Sequence, residues 1–163
     1  MQDATLFKFN KNSNLQNWRI LDDVVMGGRS NGEFTVSKEG FGKFYGDISL
    51  DNNGGFSSVR YYFETKKTKP FSKFILKIKG DGKRYQFRVK DKSNQRHSYI
   101  YEFQTSGDWE TVEIPFDKMY ASFRGYRLNI SNFDGAQMEE IAFLIGNKKE
   151  ESFELLIDTI LLD

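Results

Sequence analysis

The feature that most constrains this chain is a period-two alternation of apolar and polar residues that recurs along its length. Phe74, Leu76 and Ile78 fall on one side of an extended backbone, with Ile75, Lys77 and Lys79 on the other. Tyr85, Phe87 and Val89 alternate with Gln86, Arg88 and Lys90, and Tyr99, Tyr101 and Phe103 with Ser98, Ile100 and Glu102. Ile141, Phe143 and Ile145 follow, then Phe153, Leu155, Ile157 and Thr159. Successive side chains on a strand point to opposite faces, so such runs form half-buried strands. Turn residues separate them at Gly80-Asp81-Gly82, Lys92-Ser93-Asn94, Ser106-Gly107-Asp108 and Gly146-Asn147-Lys148. Short strands joined by polar turns predict an all-β fold: a single-domain antiparallel β-sandwich or jelly roll spanning residues 1–163. Brief helical turns are expected only near Asn14–Asn17 and Gln137–Glu140. With 16 Phe and 8 Tyr, the chain has ample aromatic area for a core without disulfide staples.

Composition removes several function classes. A net charge of +1 offers no electrostatic case for nucleic acid. The absence of cysteine removes thiolate metal sites and cysteine nucleophiles. His97 is the only histidine and stands between Arg96 and Ser98 beside a turn, with no nucleophile pattern around it. The sequence holds no nucleophile elbow, phosphate loop or dinucleotide fingerprint. No apolar run reaches the roughly 20 residues of a transmembrane helix, and Met1–Asn10 does not read as a signal peptide. A cytoplasmic protein, not an enzyme, is the expectation.

Two polar loops break the strand pattern. Asp22-Asp23-Val24-Val25-Met26-Gly27-Gly28-Arg29-Ser30 is echoed by Asp51-Asn52-Asn53-Gly54-Gly55-Phe56-Ser57-Ser58-Val59-Arg60. Each is a glycine pair flanked by carboxylate, amide or hydroxyl groups and one arginine. Glycine lets backbone approach a ligand or a second loop closely. Arginine offers a planar fork to carboxylates and other acceptors. The candidate binding residues are therefore Asp22, Asp23, Met26, Gly27, Gly28, Arg29, Ser30, Asn53, Gly54, Gly55, Phe56 and Arg60. Two tight turns bracing one another is the competing explanation, and Asp22 and Asp23 would then hold the loops.

Other chemistry has thinner support. Asp22 and Asp23 are adjacent and face opposite ways on an extended chain, so they do not make a glycosidase pair. Calcium prefers hard oxygen ligands, which Asp22, Asp23 and Asp158 supply only if both ends of the chain converge; Asp158 is the candidate metal residue. Tyr99, Tyr101, Trp18 and Trp109 have rings suited to stacking on a sugar, although core packing is the commoner fate of each. Gln86 and Arg88 lie on the polar side of their strand and would line a groove with Tyr99 and Tyr101 if that side is concave.

Taken together, these segments resemble the complex I intermediate-associated protein 30 family. The likeness begins at Trp18 and the Asp22–Ser30 motif and continues through Phe44–Leu50, Asn53–Arg60 and Lys79–Tyr85. It takes in Trp109 with Ile114-Pro115-Phe116, then Arg124-Gly125, and closes with Phe153–Ile160. The resemblance implies a jelly roll of the galactose-binding-like type. It implies a non-enzymatic assembly factor or chaperone whose protein partners are subunits of respiratory complex I, acting at the membrane periphery. As a bare domain without a targeting extension, the chain is similar to bacterial members of the family. Carbohydrate-binding modules share the fold, so a glycan is the alternative partner. In such modules an aspartate like Asp158 sits near a structural calcium.

Overall fold

The computed structural model describes residues 4–23 and 27–163 and, at Asn53, the backbone only. Val24, Val25 and the candidate Met26 lie outside the described residues. Thirteen strands form two antiparallel sheets among them. The first sheet contains β3 (Asn31–Val36), β4 (Gly42–Ile48), β13 (Glu151–Leu162), β6 (Lys73–Lys79) and β9 (Trp109–Pro115), in that order, with β1 (Ala4–Lys8) also on β13. The second runs β11 (Tyr126–Arg127), β10 (Tyr120–Phe123), β8 (Ser98–Gln104), β7 (Arg84–Lys90), β12 (Gln137–Ile145), β5 (Ser57–Lys67) and β2 (Trp18–Asp22). The alternating runs of the sequence become β6, β7, β8, β12 and β13, with the expected turns between them.

The core lies between the sheets. Phe74, Leu76 and Ile78 meet Phe87, Ile141 and Phe143 there, all fully buried. Phe74 packs edge-on to Phe87 at 4.8 Å, and Phe87 to Phe143 at 5.2 Å, the tilted arrangement that aromatic quadrupoles favour. A second aromatic group closes one end. Trp18 stacks on Tyr61 at 4.7 Å and touches Phe7, Phe9 and Phe34.

Two local expectations need correction. Gln137–Glu140 is not a helical turn but the start of β12, with a bulge between Met138 and Glu140 against β5. Only isolated turns occupy Asn14–Asn17, where Trp18 N donates to the Leu15 carbonyl. Among the described residues, 3-10 turns lie instead at Asp51–Asn53 and Phe116–Lys118.

Candidate functional site

The two glycine loops meet around one buried carboxylate. Asp23, 1% exposed, accepts hydrogen bonds from Ser30 N (2.9 Å) and Ser30 Oγ (2.5 Å) in its own loop. From the second loop it accepts Gly55 N (2.6 Å) and Phe56 N (3.2 Å). Its own N–H donates to the Phe56 carbonyl, and its carbonyl accepts Gly28 N. Ser30 Oγ in turn accepts Ser49 N at 2.9 Å. Burial opposes charge on Asp23, but the Ser30 hydroxyl and the N–H groups of Gly55, Ser30 and Phe56 outweigh it, so its pKa lies below the usual 3.8. Asp22 turns the other way. It accepts Gly32 N at 2.9 Å and the Ser57 hydroxyl, and burial raises its pKa against those bonds, with the Asp23 charge adding to the rise.

This geometry explains the glycines. A Cβ on Gly28 would overlap the Asp23 carboxyl group, and one on Gly54 would come within 2.5 Å of Asp23 Oδ2. Gly27 has φ of +91° with open space around it, so only its backbone conformation requires glycine. Asp22, Asp23, Gly28, Ser30, Gly54, Gly55 and Phe56 are thus placed as a loop-to-loop knot, with their polar groups turned inward. Arg29 is exposed at its surface and makes no hydrogen bond or ion pair among the described residues.

The remaining candidates separate across the seven-stranded sheet. Tyr99 and Tyr101 pair with Val89 and Phe87 and pack against the core, with Tyr99 5.3 Å from Phe133. Gln86 and Arg88 pair with Glu102 and Ile100 on the opposite, outer face. They therefore share no groove with the two tyrosines. Arg60, expected at a loop, stands within β5 on the same outer face as Arg88. Both arginines lie level with Ala142 of β12, one on each side.

The middle of this outer face is a polar trough. Its floor is Ser58, Ile100, Ala142 and Leu144, each buried. Glu140, 4% exposed, sits between Tyr62 of β5 and Lys90 of β7. Its carboxylate is 3.9 Å from Arg60 Nη1. Burial raises its pKa, offset in part by Lys90, Arg60 and Arg88. Burial pushes the Arg88 guanidinium down to about 10, and Arg60 adds to that by like-charge repulsion. Both Arg60 Nε and Arg88 Nε are buried without a hydrogen-bond partner. Tyr120 donates to Glu102 at 2.8 Å, and Arg84 pairs with Glu102 at 3.1 Å, so that carboxylate is engaged elsewhere.

Glu140, Lys90 and Tyr62 were not among the sequence candidates. The adjacent pair Glu139-Glu140 ahead of the apolar run Ile141–Ile145 was the available signal, but the bulge hid which face each takes. Among the described residues no three histidine or carboxylate groups converge on a metal position. Asp158 instead lies between Lys8 (3.8 Å) and Lys77 (3.4 Å), and it does not meet Asp22 or Asp23.

Two twisted antiparallel sheets with a polar outer trough define a jelly-roll sandwich of the type used by carbohydrate-binding modules. Its architecture is similar to a family 11 carbohydrate-binding module from Clostridium thermocellum, solved with a β-1,3-1,4-mixed-linked tetrasaccharide. The TM-score is 0.66 at 19% identity, over 98% of this chain and 94% of that one, a likeness of fold. By sequence, residues 7–157 match the model of the complex I intermediate-associated protein 30 family, and the chain belongs to that family. It is 25% identical to the mitochondrial complex I intermediate-associated protein 30 of Mus musculus, over 98% of this chain and 56% of the mouse protein. The chain thus spans little more than half the length of that relative. An uncharacterized protein of Schizosaccharomyces pombe is 26% identical over 95% of this chain and 81% of its own. Neither relative lends support to a bacterial placement.

Proposed function

We propose that this chain is a non-enzymatic, protein-binding assembly factor for a respiratory complex of the complex I type. The observation that carries the reading is the outer trough of the seven-stranded sheet, cationic and short of acceptors, within a chain of the assembly-factor family. Arginine forks on a preformed surface recognise acceptors on a partner, and such residues dominate protein interfaces. The loop knot beside it supplies a rigid support, and exposed Arg29 extends the contact surface. The carboxylates of Asp22 and Asp23 serve architecture here and are not free to act as an acid–base pair. The mouse relative is mitochondrial by name, which favours action at the edge of a membrane complex. No helix among the described residues is long and apolar enough to cross a membrane.

Affinity capture from detergent-solubilised respiratory membranes tests this. Wild type is expected to retain respiratory-complex subunits, with recovery reduced severalfold for Arg29→Ala at unchanged melting temperature. Capture of no such subunit refutes the assembly role. A glycan is the second reading, favoured by the fold likeness and by Tyr62 and Tyr120 rising from the outer face beside the trough. Calorimetric titration with a mixed-linked β-glucan tetrasaccharide decides it. Saturable heat in the wild type, lost in Tyr62→Ala, would support sugar binding.

A further inference from the structure

The trough contains more cation than its own acceptors satisfy. Arg60, Arg88 and Lys90 surround the single carboxylate of Glu140, a local excess of two positive charges. Arg19, level with Arg60 on β2, prolongs the row. Glu140 reaches only Arg60, at 3.9 Å, longer than a charge-assisted hydrogen bond. The two buried Nε–H groups face no acceptor at all. Buried donors are nearly always paired in native proteins, so two orphans on one face point to a missing partner. Burial is the main cause of the lowered Arg88 pKa, and the neighbouring Arg60 charge adds to it, the same imbalance seen electrostatically.

We propose that this trough is an anion site whose occupant is an acidic side chain on a peptide segment of the partner protein, lying across β5, β12 and β7. A guanidinium presents parallel N–H donors in the plane of a carboxylate, and the partly exposed guanidinium of Arg60 offers such a fork, with the buried Nε–H groups of Arg60 and Arg88 behind it. The two arginines stand one strand to either side of Ala142, about 10 Å apart at the backbone, and Ala142 between them is itself covered. The form of the trough favours a polypeptide over a small anion. Two shallow concavities lie elsewhere, one along Leu6, Tyr61 and Phe63 and one along Val36, Lys38 and Leu156. An open face lacks the enclosure that removes water from a small ligand, and a chain segment brings its own cover. This inference rests on the protein-binding reading above.

The test uses the whole chain, 15N-labelled, with the arginine Nε–Hε resonances of Arg60 and Arg88 assigned. The probe is an end-blocked hexapeptide of glutamate, with the glutamine hexapeptide as its match. The glutamate peptide should shift both Nε resonances saturably, and the glutamine peptide should leave them in place. Arg88→Met should weaken binding at least tenfold with an otherwise native spectrum. Arg88→Lys should weaken it severalfold, because it keeps charge but loses the fork. Glu140→Gln should tighten binding severalfold by removing the competing carboxylate. Equal binding of the two peptides, or binding indifferent to Arg88→Met, overturns the proposal. So does saturation by inorganic phosphate or trigalacturonate at lower concentration than the glutamate peptide, which would assign the site to another anion. The two readings fail separately. Respiratory subunits captured equally by wild type and Arg88→Met would sink this site and spare the assembly role. Peptide binding at the Nε groups without any captured subunit would do the reverse.

Discussion

Replacing Asp23 should unlock both glycine loops together. The carboxylate accepts four hydrogen bonds, and each bond to a charged group contributes about 1.5–3 kcal/mol net. A direct sum of about 6–12 kcal/mol is too large, because Gly55 and Phe56 are only half-buried and water can replace the carboxylate there. The Ser30 N–H and hydroxyl lie deeper and would be left orphaned. Asp23→Ala is therefore expected to cost about 3–5 kcal/mol, the range for removing one member of a buried charged network. Asp23→Asn is gentler. Its oxygen can take the place of Oδ2, which serves three of the donors, leaving only the Ser30 N–H facing an amide NH2. About 2–3 kcal/mol is expected for that single conflict. Urea unfolding at pH 7, followed by tryptophan fluorescence, measures both. The acid limb gives an independent check. A carboxylate with a lowered native pKa stabilises above its unfolded value of 3.8, and that stability is lost as pH falls through the native value beneath it. The gap between wild type and Asp23→Asn should hold above pH 4 and shrink below it. A loss under about 1 kcal/mol for Asp23→Ala, or a gap insensitive to acid, would refute the knot as a stabilising unit.

Other perturbations separate the remaining causes. Gly28→Ala drives a methyl group into the Asp23 carboxyl and should destabilise by about 1–3 kcal/mol, as overpacking does, whereas Gly27→Ala meets open space and should cost about 1 kcal/mol for its positive φ; paired thermal melts rank them. Trp18→Ala empties the aromatic end of the core and should cost about 3–5 kcal/mol by urea unfolding, while Trp18→Phe, which also discards an indole N–H without an acceptor, should cost much less. Glu140 has a raised native pKa, so the folded chain holds its proton where the unfolded one has released it, and stability falls as pH rises from 4.5 to that native value. Glu140→Gln should flatten this part of the stability profile, measured by urea unfolding across that window.

Much of the sandwich was legible because half-buried strands alternate with a fixed period, and β6, β7, β8 and β13 carry it plainly. The start of β12 was not, since the bulge at Met138 and Glu140 breaks the alternation where it would have been read. The glycine loops stood out as polar interruptions, yet their joint role rests on Asp23 reaching Gly55 and Phe56, 32 and 33 residues away. Spacing along the chain does not report such contacts. Arg60 and Arg88 were each visible as candidates but in unrelated places. Only the register of β5, β12 and β7 puts them level with one another around Ala142, and the same register turns Tyr99 and Tyr101 inward, away from Gln86 and Arg88.

The two sheets share a feature of chain order. β12 joins β5 to β7 in one sheet, and β13 joins β4 to β6 in the other. The strands at the centre are thus synthesised after those they join. During translation, β4 and β6 each present a bare edge until Glu151–Leu162 emerges, and β5 and β7 do so until Gln137–Ile145 emerges. Open edges are templates for pairing with foreign chains. The nascent protein is thus most vulnerable just before β12 and β13 leave the ribosome, and a truncation ahead of them would leave half-sheets prone to aggregate.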